Sequence, residues 1–257
     1  MAAGQTAVLY AEGPGALASK KRDLFEISVG YALILLVIWT PNPWQRPLYW
    51  MAAAFILAVS WRSFDGWPVM GLRWTNFLSS LWIVGLGLVG AAIAVLIAAR
   101  FGTLRPWHGP IELIRRFWGY AIWAFLQQFL LQIFFLQRFL RLVSSKNLAV
   151  VLTAGLFAFA HLPSPILTVV TLVFGLAACW LFLRYRNLYP LAITHALLGI
   201  CIAICLPGPV THNMRVGRGY LEYRPNQGHR HHVHPAFWPR LSPQNVQSII
   251  KDDLSEP

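Results

Sequence analysis

The hydrophobic positions of the chain fall into seven runs, each closed by short stretches rich in Arg, Lys, Pro or Trp. The clearest is 77–99, as long as the roughly 20 residues needed to cross a bilayer and rich in Gly and Ala, as closely packed membrane helices are. Two shorter runs, 27–39 and 48–61, are flanked by Trp and Tyr and separated by the turn-like TPNPWQRP. They are expected either to cross or to form a helical hairpin. Then come 117–142, 148–161 (ended by Pro163-Ser164-Pro165), 166–182 (closed by Arg184 and Arg186), and 188–206, with Pro190 in its first turn, where a missing amide hydrogen does no harm. The pattern predicts an all-α polytopic transmembrane bundle of about seven spans, within a range of six to eight.

Composition agrees: 57% of residues are apolar and only 12% charged, so a soluble globular domain is a poor fit. Three regions follow. Residues 1–24 are a polar lead-in ending in Lys20, Lys21 and Arg22, cytoplasmic by the positive-inside rule; 25–206 are the bundle; 207–257 are a soluble, basic, histidine-containing tail. No cleavable leader is visible, so the first span is expected to direct insertion, into a bacterial inner (plasma) membrane. The formal charge is +12, of which the tail carries only +2. Basic loops facing anionic headgroups account for the remainder, and no nucleic-acid partner is expected. Cys179, Cys201 and Cys205 lie in apolar runs without CxxC spacing and read as small buried residues. His108 reads as a loop residue, and the histidines at 229, 231, 232 and 234 as part of a solvated tail.

One run departs from its apolar surroundings. FWGYAIWAFLQQFLLQIFFLQRFLRL, 117–142, carries Gln127, Gln128 and Gln132 in mid-helix. An amide in hydrocarbon must find a partner or cost several kcal/mol. At about 1.5 Å per residue, Gln128 lies about 15 Å above Arg138, His161 about 21 Å above Asn147 and His195 about 12 Å above Asn187, so the three could meet in one pocket. Gln128 and Gln132, four apart, share a helix face.

In order, a polar pair on one span, Phe157-x-x-x-His161 ending the next, and His195 after the Tyr189-Pro190 turn on the last resemble the CAAX-protease and bacteriocin-processing family, CPBP or Abi. These are intramembrane endopeptidases, and the resemblance covers about 118–201. It implies hydrolysis of a peptide bond in a membrane-associated substrate, with the bilayer and a peptide or protein as partners. It also implies His161, His195, Gln127 and Gln128 as catalytic positions and Gln132 and Phe157 as substrate-binding positions.

The sequence departs from the family at instructive places. The family's Glu-Glu-x-x-x-Arg reads Gln127-Gln128-x-x-x-Gln132 here, and the Asn or Asp expected four residues after the last histidine is Gly199. Glutamine cannot accept a proton, and no other carboxylate lies within a span apart from Glu26 at the edge of the first. If chemistry occurs, a neutral histidine is the base, and the amides orient water and donate to the oxyanion. No metal or cofactor is expected, because two histidines with amide oxygens are a poor set of zinc ligands. Two functions stay open: an endopeptidase with His161 as base, and a catalytically inactive relative that binds a membrane peptide or lipid. Interhelical hydrogen bonding alone would also account for such residues. A solute transporter fits less well, since charged intramembrane pairs and repeated halves are lacking.

Overall fold

The computed structural model describes residues 14–63, 66–68, 70–105 and 109–224. His108 and the histidines at 229, 231, 232 and 234 lie outside the described residues, as does most of the tail. Every run identified above forms a helix: α1 Pro14–Trp39, α2 Gln45–Arg62, α3 Phe77–Arg100, α4 Pro110–Phe129, α5 Gln137–Leu142, α6 Lys146–Phe159, α7 Pro165–Tyr185 and α8 Leu188–Cys205. A π-helical segment, Leu130–Leu136, joins α4 to α5, so the glutamine run is one continuous helix. No strand occurs among the described residues.

Among the described residues four helices are long and apolar enough to cross a membrane: α3, the glutamine helix over Ile114–Leu142, α7 and α8; α6 is apolar but shorter. Large apolar side chains such as Leu78, Leu86 and Leu96 on α3 and Val169 and Val173 on α7 point outward, as lipid-facing positions do. Local chemistry sets the breaks. Ser145 caps α6 by accepting from the Leu148 amide, and Asn187 caps α8 by accepting from the Tyr189 amide.

The glutamine helix is the centre of the bundle. Its π segment is buried all round from Leu131 to Leu136. Leu131, Ile133 and Leu136 pack against Ala149 and Val150 of α6, Cys179 and Phe182 of α7, and Leu188 and Leu191 of α8. Phe134 and Phe135 pack against Ile27 of α1 and Ile56 of α2. Close approach depends on small residues: a Cβ at Gly30 of α1 would come within 2.7 Å of the Phe134 ring, and one at Gly87 of α3 within 2.8 Å of Thr194 on α8.

Contacts at the ends fix which termini lie together. Arg141, ending α5, pairs with Asp23 near the start of α1; Asn76, before α3, donates to the Tyr185 carbonyl at the end of α7. At the opposite end the Arg105 amide donates to Ile204 of α8. Beyond α8, Gly208–Thr211 (α9), a 3₁₀ turn at His212–Met214 and Gly217–Leu221 (α10) fold back. The Gly217 amide donates to the Leu162 carbonyl, 2.8 Å away, and a Cβ at 217 would collide with Ile38 near the end of α1. The start of the tail therefore packs on the bundle. The lead-in likewise becomes helical from Pro14 onward.

The charges that read as flanks of apolar runs form a buried network. Asp23 and Glu26 are buried at 0% and 4% exposure, and Arg138 at 1%. Arg138 donates through Nε to Glu26 Oε2 at 2.8 Å and through Nη1 to the Phe134 carbonyl, and lies over the Phe134 ring. Arg141 grips Asp23 with two 2.8 Å bonds. Two ion pairs thus tie α1 to the far end of the central helix. Glu26→Ala, which leaves Arg138 buried and unpaired, is expected to lower stability by about 3–5 kcal/mol. Adding Arg138→Met should return most of that loss, as read by unfolding in mild detergent.

Candidate active site

Four elements meet at the polar centre. The glutamine helix supplies Gln128 and Gln132, both 0% exposed; α8 supplies His195; α6 and the turn after it supply Phe157 and His161; α7 supplies Phe174. Gln132 Nε2 donates to Gln128 Oε1 at 3.3 Å, and Gln128 Nε2 lies 3.1 Å from His195 Nδ1. The His195 ring packs against Phe174 at 5.0 Å and Phe157 at 5.9 Å between centroids. The same Phe157 ring meets His161 edge-on at 4.9 Å. Phe157 therefore sits between the two histidines.

Hydrogen-bond direction assigns the tautomers. His161 Nδ1 is 2.7 Å from the Phe157 carbonyl. A carbonyl only accepts, so Nδ1 carries the hydrogen and Nε2 presents a lone pair. At His195 the partner is an amide NH₂, which only donates, so Nδ1 accepts and Nε2 carries the hydrogen. Gln132 fixes the orientation of the Gln128 amide by occupying its oxygen. One histidine thus presents an acceptor and the other a donor.

Of the six positions singled out from the sequence, five form this connected set. Gln127 does not join it: it is half-buried, and its side chain makes no hydrogen bond among the described residues. Gln132 lies wholly inside, against Gln128, where it orients the amide instead of meeting solvent or lipid. Among the described residues no three His, Cys, Asp or Glu side chains gather as a metal site.

Residues 110–201 match the family model described as type II CAAX prenyl endopeptidase, Rce1-like. The match spans the glutamine helix, FxxxH and His195, and agrees with the resemblance drawn from those motifs. No curated protein and no solved structure matches the chain. With four helices among the described residues long and apolar enough to cross a bilayer, the chain is an integral membrane protein, and over residues 110–201 it is similar to the type II CAAX prenyl endopeptidases.

A residue that the motifs did not reveal packs one turn beyond His195. At Gly199, one turn after His195, a Cβ would collide with the hydroxyl of Tyr120 from α4. The space in which the family's Asn or Asp side chain would stand is filled by a phenol from the facing helix. The only signal in the sequence was a missing side chain at 199, with Tyr120 two helical turns before Gln127. Gly199→Ala is expected to cost about 1–3 kcal/mol through overpacking against Tyr120. In a Tyr120→Ala background the same substitution should cost far less; a double-mutant cycle giving additive losses would show that the two positions do not press on one another.

Proposed function

We propose that this chain is an intramembrane endopeptidase that hydrolyses a peptide bond of a membrane-associated substrate without a carboxylate at the first family motif. The observation that carries the reading is the opposite polarity of the two imidazoles, an acceptor at His161 and a donor at His195. Such a pair is what water-mediated attack on an amide carbonyl needs.

In the reaction, His161 Nε2 accepts a proton from water while the water oxygen attacks the carbonyl carbon. The carbonyl π pair moves onto oxygen, and that oxyanion accepts a hydrogen bond from His195 Nε2–H, with the Tyr120 hydroxyl as a second donor. Collapse re-forms the carbonyl and breaks the C–N bond. The departing nitrogen takes the proton from the His161 imidazolium, so acid and protons balance within one residue. Gln128 acts through His195 by holding it in the donor tautomer, and Gln132 acts through Gln128. Phe157 sets the distance between the histidines and presents its carbonyl to His161. The expected partner is a membrane-associated peptide or protein in an inner (plasma) membrane.

The amide-only first motif supports a second reading, a catalytically inactive relative that binds a membrane peptide or lipid in the same pocket. Purified protein in proteoliposomes, assayed with labelled CAAX-type and unmodified membrane peptides, separates the two. As an enzyme, the wild type cleaves, His161→Ala abolishes cleavage, and Gln128→Ala slows it by roughly 10² to 10³, the size of a lost oxyanion contact. Saturable peptide binding with no cleavage by the wild type would favour the binder.

A further inference from the structure

At the end of the bundle carrying the basic residues, the gap between α1, α2 and α5 holds two adjoining cavities. The outer, about 210 Å³, is lined by Arg22, Glu26, Arg62, Ser63 and Arg141. The inner, about 30 Å³, shares Ser63 and Arg141 with it and is lined further by Ser60, Gln137 and Arg138. The inner wall carries donors without acceptors. Ser60 is only 4% exposed and its hydroxyl has no hydrogen-bond partner; Gln137 Nε2 has none either. Arg138 Nη2, in contrast, is held by Glu26 Oε2 at 2.8 Å.

The outer wall carries a surplus of positive charge. Of the four arginines around the two cavities, Arg138 and Arg141 are matched by Glu26 and Asp23. Arg22 Nε stands 3.9 Å from Glu26 Oε1, too far for a hydrogen bond, and Arg62 has no carboxylate partner among the described residues. Arginines gathered at a cytoplasmic-type face would by themselves reflect only the positive-inside rule. Buried orphan donors behind them are different, because each costs free energy unless an acceptor is supplied.

We propose that this gap is a phosphate-binding site, in which Arg22, Arg62 and Arg141 hold a phosphate monoester or diester and one of its oxygens, or a water behind it, accepts from Ser60 and Gln137. The phosphate comes either from an anionic phospholipid headgroup or from a soluble phosphate. The site lies at the end of the bundle away from the turn that carries His161, and is independent of whether the protein cleaves peptides.

The test uses delipidated full-length protein in neutral detergent, with native mass spectrometry and thermal shift as readouts. Phosphatidic acid, phosphatidylglycerol, phosphatidylcholine and inorganic phosphate are added separately. Retention of the anionic lipids with a raised midpoint, over phosphatidylcholine, assigns the lipid source; a shift with inorganic phosphate alone assigns the soluble one. Arg22→Gln with Arg62→Gln should weaken binding by roughly tenfold or more while leaving the ligand-free midpoint unchanged. Ser60→Val removes no charge, so it separates a built site from general surface attraction: it should also weaken binding several-fold. Equal retention of all lipids without any phosphate shift, or full binding by Ser60→Val, overturns the proposal.

Discussion

Hydrocarbon supplies no hydrogen-bond partner, so each polar group carried into the bundle must be answered by another from the protein. The central helix carries Gln128 and Gln132 into the interior, and the chain Gln132 to Gln128 to His195 answers them, save for Gln132 Oε1, which has no hydrogen-bond partner. Contacts of this kind are each worth about 0.6 to 2 kcal/mol in a membrane, modest as stabilisation. Their larger effect is directional. Because an amide NH₂ can only donate, it leaves the far nitrogen of His195 as a donor; a carboxylate at 128 would take the Nδ1 hydrogen and leave an acceptor there. The same pocket with Glu or with Gln at 128 therefore presents opposite polarity to whatever enters it.

The helix carrying these amides can be central because two different forces hold its two halves. Around the π segment the contacts are apolar and close, with Phe134 against Gly30 of α1 and Leu131 and Leu136 against α6, α7 and α8. At its end they are ionic, Arg138 to Glu26 and Arg141 to Asp23. The ion pairs fix where α1 lies along the helix axis, which apolar packing alone specifies poorly. Widening of the helix into π geometry starts two residues after Gln128, in the kind of position where such segments accompany functional sites.

Much of this was legible in the sequence, for reasons that can be named. Apolar runs bounded by Arg, Lys, Pro and Trp mark every long helix, since a bilayer-length apolar run ends where charged and ring-constrained residues begin. Rise per residue brought Gln128 and His195 to one depth, and they bond. Gln127 looks like an equal member because adjacent amides are alike in a sequence, yet residues one apart face about 100° away from each other on a helix. Tyr120 was not legible, because what marks it is the absence of a Cβ on a different helix. Asp23 and Glu26 looked like the polar flank of a span; only long-range pairing with Arg138 and Arg141, more than a hundred residues on, shows them to be interior.

The central claim is that an amide in place of a carboxylate sets His195 as a donor, and the ring nitrogens report it directly. Protein labelled with ¹⁵N-histidine and held in detergent micelles, with His161→Gln and His195→Gln variants for assignment, distinguishes protonated from unprotonated nitrogen at each ring. The account predicts hydrogen on Nε2 of His195 and on Nδ1 of His161, and transfer of the His195 hydrogen to Nδ1 in Gln128→Glu. A wild-type His195 with hydrogen on Nδ1 and a bare Nε2 would contradict it.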